Sequence, residues 1–198
     1  MKYGTFQLGN RVGAFLLYEK FVIDLGQAFF RQFKRPAKFI DLGEFLESGA
    51  IERVKDLELK KLTRERTVAI PLHEVKLKAP LRRPPKIICV GLNYRAHAVE
   101  QKLEPPPAPM LFAKAPNIVI GPEDAIEIPY GLSEQIDYEC ELGVVIGSRA
   151  RYLSKKNAMS VVGTYSTIQE ALITTRPFWN STIPSDPAKV TLVNTLNQ

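Results

Sequence analysis

The chain has 198 residues, 45% hydrophobic and 24% charged; that mix excludes a largely disordered polypeptide, whose apolar content would be too low to offset chain entropy. At roughly 150 residues per domain the length predicts one domain, or one with a small appendage, and a core that needs no disulfide or zinc staple. The net charge of +6 is spread among acids, as in Glu52-Arg53-Val54-Lys55-Asp56 and Glu58-Leu59-Lys60-Lys61. It therefore reads as a mixed solvated surface that steers anionic metabolites, with no nucleic-acid partner.

Short alternating runs at Thr5–Leu8, Arg11–Tyr18 and Phe21–Leu25, broken by Gly9-Asn10 and Glu19-Lys20, predict an antiparallel meander. Phe39, Ile40, Leu42, Phe45 and Leu46 recur at helical spacing before Gly49, and a weaker helix is expected over Ile51–Leu59. The proline-rich stretch Ala79–Pro85 reads as a linker, because proline removes donors and favours extended backbone. Beyond it, Lys86–Gly91 reads as a short buried strand and Asn93–Leu103 as a short helix. Met110–Lys114, Ile118–Ile120 and Ala125–Ile128 read as strands, with a turn at Gly121-Pro122-Glu123-Asp124. Gln135–Gly147 reads as a longer strand. After Val162 charged residues become sparse and no clear period survives. The expected organisation is a small N-terminal domain over 1–80, a catalytic domain over 86–162 and a divergent tail over 163–198. No apolar run approaches the ~20 residues of a membrane span, and residues 1–10 lack the pattern of a secretory signal. No membrane partner is expected, and the expected location is the cytoplasm. Cys89 and Cys140 form no C-x-x-C pair and are expected to be buried free thiols.

Two constellations carry chemistry. In Ile136–Gly147, alternation puts Asp137, Glu139 and Glu141 on one strand face, with Tyr138, Cys140 and Leu142 on the other, expected to be core. Three acids on one face of a buried strand repel and lose hydration, a conflict that a hard divalent cation resolves: magnesium first, with manganese or calcium as alternatives. A solvated acidic face on an edge strand is the competing reading. In the helical turn after Gly91, His97 and Glu100 stand three residues apart and meet on one face. A carboxylate beside an imidazole orients the ring and fixes its tautomer, as a general base needs; the competing reading is a surface His–Glu pair. His73 is assigned no role.

Three blocks in order, KIICVGLNYRAHAVE (86–100), MLFAKAPNIVIGP (110–122) and SEQIDYECELGVVIG (133–147), resemble the fumarylacetoacetate hydrolase superfamily. That superfamily includes acylpyruvate hydrolases, oxaloacetate decarboxylases and the isomerase/decarboxylase of homoprotocatechuate breakdown. The resemblance covers residues 1 to about 160, since Arg11–Leu25 is similar to the family's N-terminal hairpin. It implies an α+β, mostly β fold: a mixed β-roll catalytic domain, incomplete in this chain, beside a small N-terminal α+β domain. It also implies one magnesium or manganese ion, with calcium as a further alternative. The family's E-x-E ligands fall on Glu139 and Glu141, and its H-x-x-E dyad falls on His97 and Glu100. Arg95 and Lys114 fall where members line or support the substrate pocket; Tyr94 and Asp137 fall among supporting residues. The implied function is hydrolysis, isomerisation or decarboxylation of β-dicarbonyl or 2-oxo acids through a metal-stabilised enolate, as in 2-hydroxyhepta-2,4-diene-1,7-dioate isomerase or acylpyruvate hydrolase in aromatic catabolism. The implied partners are a small 2-oxo acid substrate and a second copy in a homodimer.

The chain departs from the family where a third ligand, the Asp of an Asn-Asp step, is expected. Gln169-Glu170 imitates that step with a shift of one residue, which in a strand moves the side chain to the opposite face unless a bulge restores it. Glu170 is the candidate third ligand on that condition. The alternative is a catalytically inactive amino-terminal fragment lacking that ligand, or one completed by a second chain.

Overall fold

The computed structural model describes residues 1–34, 36–127, 136–173 and 193–196; for 136–137, 167, 169–173 and 193–196 it describes the backbone alone. The fold is mixed α/β with sheets dominating, and no barrel closes among the described residues. Two compact units form, one from Met1–Arg82 with Val119–Gln198 and one from Arg83–Ile118.

The expected meander is present as β1 (Lys2–Leu8), β2 (Arg11–Tyr18) and β3 (Phe21–Asp24). Leu8 pairs with Arg11 across a two-residue turn in which Gly9 takes φ +56°, the left-handed backbone such tight hairpins require. The chain then enters α1 (Leu25–Phe33), a helix that the apolar periodicity did not announce. Its start is fixed by Asp24, whose Oδ1 accepts from Gln27 N at 2.9 Å. Arg11 Nε donates to Asp24 Oδ2 at 2.8 Å, and Arg11 also reaches Thr67 O at 2.9 Å, so the cap is tied to two other segments. Leu25, Ala28 and Phe29 form the buried stripe.

The expected helix before Gly49 is α2 (Leu42–Glu47), capped by Asp41. The weaker one resolves into a 3-10 turn, Ala50–Asp56, and a single turn, α3 (Leu59–Leu62). Strands β4 (Ala69–Pro71) and β5 (Lys76–Lys78) complete an antiparallel sheet in the order β4-β3-β2-β1-β5. Alternation divides its core. Ala14, Leu16 and Ile23 pack with Phe29, Leu42, Phe45 and Leu46, whereas Phe6, Phe15, Val22 and Ile70 form a second cluster. Buried Thr5 donates to Pro80 O at 2.7 Å and accepts from Leu42 N at 3.1 Å, which fixes where the proline-rich connection leaves the sheet.

In the second unit, β6 (Ile87–Gly91) pairs antiparallel with β7 (Met110–Lys114), and α4 (Arg95–Glu100) lies between them in sequence. The expected buried strand at 86–91 is only half covered: Ile88 is 60% exposed.

Returning to the first unit, β8 (Val119–Ile120), β9 (Ile136–Ile146), β10 (Val162–Ile173) and β11 (Val193–Leu196) form a sheet in the order β8-β11-β10-β9. Strand β8 runs parallel to β11; the other pairings are antiparallel. The segment expected to lose regular structure after Val162 therefore begins with a 12-residue strand. Residues 125–127 form no strand, and Ile128 lies outside the described residues. The expected turn follows β8, closed by Gly121 N donating to Asp124 Oδ2 at 2.9 Å. Asp124 also meets Lys76 Nζ at 2.6 Å and Lys78 Nζ at 3.3 Å, fastening this turn to β5. The Lys76 contact, the Gly121 N–H and Lys78 together hold the Asp124 carboxyl down at about 2.

The two faces of β9 reverse the expected assignment. Tyr138 is 77% exposed, Leu142 61% and Ile146 59%, and Cys140 is an exposed thiol rather than a buried one; Cys89 is half-buried. The opposite face carries half-buried Glu139 and Glu141, buried Gly143, and Val145 packed against the core cluster that contains Leu46. Packing at the Val145 end chooses the covered face, and strand alternation carries that choice along to the carboxylates.

Candidate active site

The covered face of β9 carries the first constellation. Glu139 and Glu141 lie on it about 6–7 Å apart along the strand, given a rise of ~3.3 Å per residue. The ladder with β10 pairs Glu139 with Glu170, Cys140 with Gln169 and Glu141 with Ile168. Directly opposed residues of an antiparallel pair share a face. Position 170, not 169, is therefore the one on the face of Glu139 and Glu141.

A bulge produces this register. Val162 pairs with Ile146, but Thr164 pairs with Val145, so Gly163 is the extra residue. It crosses Gly147 so closely that a Cβ on Gly163 would stand 2.8 Å from Gly147 Cα. All β10 residues beyond the bulge are displaced by one position relative to an uninterrupted ladder, and Glu170 is among them. The side chains of Glu170 and Asp137 lie outside the described residues. Among the described residues no group of three or more metal-ligating side chains occurs. The donor chemistry fits a hard divalent ion: two half-buried carboxylates on one face and a third carboxylate-bearing position opposite one of them, all oxygen.

The second constellation stands on α4, in the other unit. Leu92 (φ +50°) turns the chain out of β6, and Lys102 (φ +56°) ends the helical turn. Leu103 N donates to Ala98 O at 2.9 Å and Lys102 N to Val99 O at 3.0 Å, the paired bonds of a Schellman stop. Ala98 is fully buried, which anchors the turn. His97 Nδ1 lies 3.9 Å from Glu100 Oε2, so the predicted pair meets, though beyond hydrogen-bond length. Its other nitrogen, Nε2, lies 3.0 Å from Gln101 Nε2. Gln101 was not singled out from the sequence; its spacing of four from His97 was the available signal.

Arg95 opens α4 and is exposed, and Tyr94 precedes it, 44% exposed. Lys114 ends β7 opposite Ile87 and is only 9% exposed, with Nζ 5.7 Å from the Phe112 ring centroid. A lysine so covered is not an ordinary solvated surface residue. His73 sits in a short turn, Leu72–Glu74.

Residues 86–186 match the family described as fumarylacetoacetate (FAA) hydrolase C-terminal. The match takes in both constellations and just over half of the chain, and the chain belongs to that family. Among curated relatives, the mitochondrial oxaloacetate tautomerase FAHD2A of Bos taurus is 38% identical over 123 residues, which are 62% of this chain and 38% of that protein. Among solved structures, a fumarylacetoacetate hydrolase from psychrophilic Exiguobacterium antarcticum aligns with a TM-score of 0.67 at 30% identity, covering 87% of this chain and 56% of that one. A maleylpyruvate hydrolase from Sphingobium sp. SYK-6, in complex with manganese(II) and pyruvate, aligns with a TM-score of 0.61 at 20% identity over 98% of this chain and 65% of that one, a likeness of fold alone. The chain thus spans a little over a third of the bovine relative and 56–65% of these two structures.

Proposed function

We propose that this chain belongs to a divalent-metal-dependent enzyme acting on β-dicarbonyl or 2-oxo acids through an enolate, with keto–enol tautomerisation of a 2-oxo diacid as the first reaction to test. One observation carries the reading: the bulged register that sets Glu170 opposite Glu139 on the covered face of β9. The names of similar proteins support it: they include an oxaloacetate tautomerase and, by likeness of fold, a maleylpyruvate hydrolase whose structure holds manganese and pyruvate.

Glu139, Glu141 and Glu170 are the residues assigned to the cation, magnesium or manganese first and calcium as the alternative. When bound, a divalent cation supplies Lewis-acid stabilisation of the enolate's negative charge. His97 takes the proton from the substrate carbon, or from water in a hydrolytic member, while Glu100 faces the ring nitrogen that stays protonated. Arg95 and Lys114 are assigned to the substrate's carboxylates, as cations matched to a diacid. No observation favours the alternative of an inactive amino-terminal fragment.

The experiment follows the enol absorbance of oxaloacetate with purified protein and millimolar manganese. Catalysis above the buffer rate should be abolished by Glu139→Gln and fall by about 10²–10⁴-fold in His97→Gln, the usual worth of a general base. Turnover that is indifferent to Glu139→Gln and to a chelator would contradict the proposal.

A further inference from the structure

The loop that joins β9 to β10 holds charge that the proposed reaction does not use. Over 148–160 every residue is exposed. Arg149, Arg151, Lys155 and Lys156 lie there without an acid, so these thirteen residues carry +4 of the chain's net +6. The acids interleaved at 52–61 have no counterpart here: none occurs between Glu141 and Glu170. Among the described residues none of the four cations meets a carboxylate at ion-pair distance, whereas Arg53, Lys61 and Arg66 each do. Large apolar side chains stand among the cations: Tyr152 is 87% exposed, Met159 66% and Leu153 43%. Tyr152 takes φ +55°, a left-handed backbone that bulky residues seldom adopt. Backbone bonds define the loop. Gly147 N donates to Val161 O at 2.8 Å at its base, Asn157 N to Ser154 O at 3.0 Å, and Ser160 N to Asn157 O at 3.1 Å. Arg151 Nη2 donates to Tyr152 Oη at 2.9 Å, and its guanidinium carbon lies 4.6 Å from the ring centroid, so a cation covers one face of the ring.

Single exposed apolar residues are ordinary on a soluble surface. Three within eight residues, among four cations and no acid, are the composition of a membrane-surface contact. We propose that the β9–β10 loop docks on an anionic phospholipid surface, with the four cations at the headgroup phosphates and Tyr152, Leu153 and Met159 entering the boundary beneath them. Long basic side chains reach toward phosphate while their stems lie along apolar surface. Tyrosine sets its ring in the apolar layer and its hydroxyl at the polar level. A loop exposed along its whole length meets a flat bilayer without needing a groove. A nucleic acid takes cations and a stacked ring but gives Leu153 and Met159 nothing to bury against, and Arg151 already occupies one face of that ring. The expectation of no membrane partner rested on the lack of a spanning run, which a surface contact does not need. The proposal does not depend on the reaction proposed above.

The test sediments the whole chain with vesicles of phosphatidylcholine alone and of equal parts phosphatidylcholine and phosphatidylserine. The chain should partition onto the second and not the first, and rising salt should release it. Lys155→Gln with Lys156→Gln should weaken partition by about fivefold for each charge removed, the equivalent of ~1 kcal/mol apiece. Lys60→Gln with Lys61→Gln removes the same charge from α3 and should leave partition nearly unchanged. Leu153→Ser with Met159→Ser should weaken it while its salt dependence stays. Each of these side chains is exposed, so the variants keep the fold, which their melts check. No partition onto the mixed vesicles at low salt would overturn the proposal. So would an equal loss from the α3 pair, which would make net charge the cause, or partition indifferent to Leu153→Ser with Met159→Ser, which would leave nothing inserted. Duplex DNA or an acidic peptide held as tightly as the vesicles would mark a partner of another class and overturn it likewise.

Discussion

A single carboxylate can join two segments distant in sequence, and Asp124 does so. It closes its own turn on Gly121 N and takes two lysines from β5. Its carboxyl is held at about 2, below the ordinary 3.8. A group whose folded value is depressed stabilises the fold fully above its unfolded value and loses that contribution as pH falls through the folded one. Asp124→Asn should therefore lower stability by roughly 1 kcal/mol or less, because Lys76, its nearer lysine, is about half exposed and water screens the pair. That corresponds to a fall in Tm of about 2–4 °C for a chain this size. Melts run at stepped pH should show the gap open above pH 4 and closing toward pH 2; a gap of constant size across that range would mean the lysine contacts are not its source. At the same scale, Gln101 is a residue whose approach to His97 was visible only in coordinates. Its spacing from His97 was in the sequence, but every helix offers such pairs, and the 3.0 Å approach of the two side chains marks this one.

At the scale of elements, the bulge at Gly163 matters most. A tight backbone crossing at Gly147 forces the extra residue, and the extra residue decides which acid of β10 meets Glu139. Gly163→Ala places a Cβ 2.8 Å from Gly147 Cα and forces the two strands apart. The variant should lose about 1–3 kcal/mol, as overpacked sites do, and manganese affinity should fall with it. Denaturant melts and manganese titration check both; retention of both would mean that the register does not depend on this crossing.

The same elements mark where the sequence was readable. The meander, the turn after β8 and the Glu139–Glu141 face were legible, because alternation and turn residues are local signals. Helix α1 was not, because the run Phe21–Leu25 reads as strand through Asp24, the residue that ends β3 and caps the helix; the signal present was Asp24 as a cap. The apolar side of β9 was assigned to the core on composition. Yet Val145, on the carboxylate side, is what packs against the core, so Tyr138, Leu142 and Ile146 are exposed. Alternation separates two faces but does not say which is covered; tertiary packing does.

At the scale of the whole molecule, the family assignment rests on residues 86–186, the fold rests on the aligned structures, and the chain spans only part of each relative. The central claim is that the covered face of β9, with Glu170 from β10, is a divalent-cation site. A thermal melt with and without millimolar manganese tests it most directly, since an ion that binds only the folded state raises Tm by mass action, with about 2.7 kcal/mol of stabilisation at one hundred times Kd. The account predicts a saturable rise that is lost in Glu139→Gln and reduced in Glu170→Gln. A cooperative melt that manganese leaves unmoved, or a rise of the same size in Glu139→Gln, would contradict it.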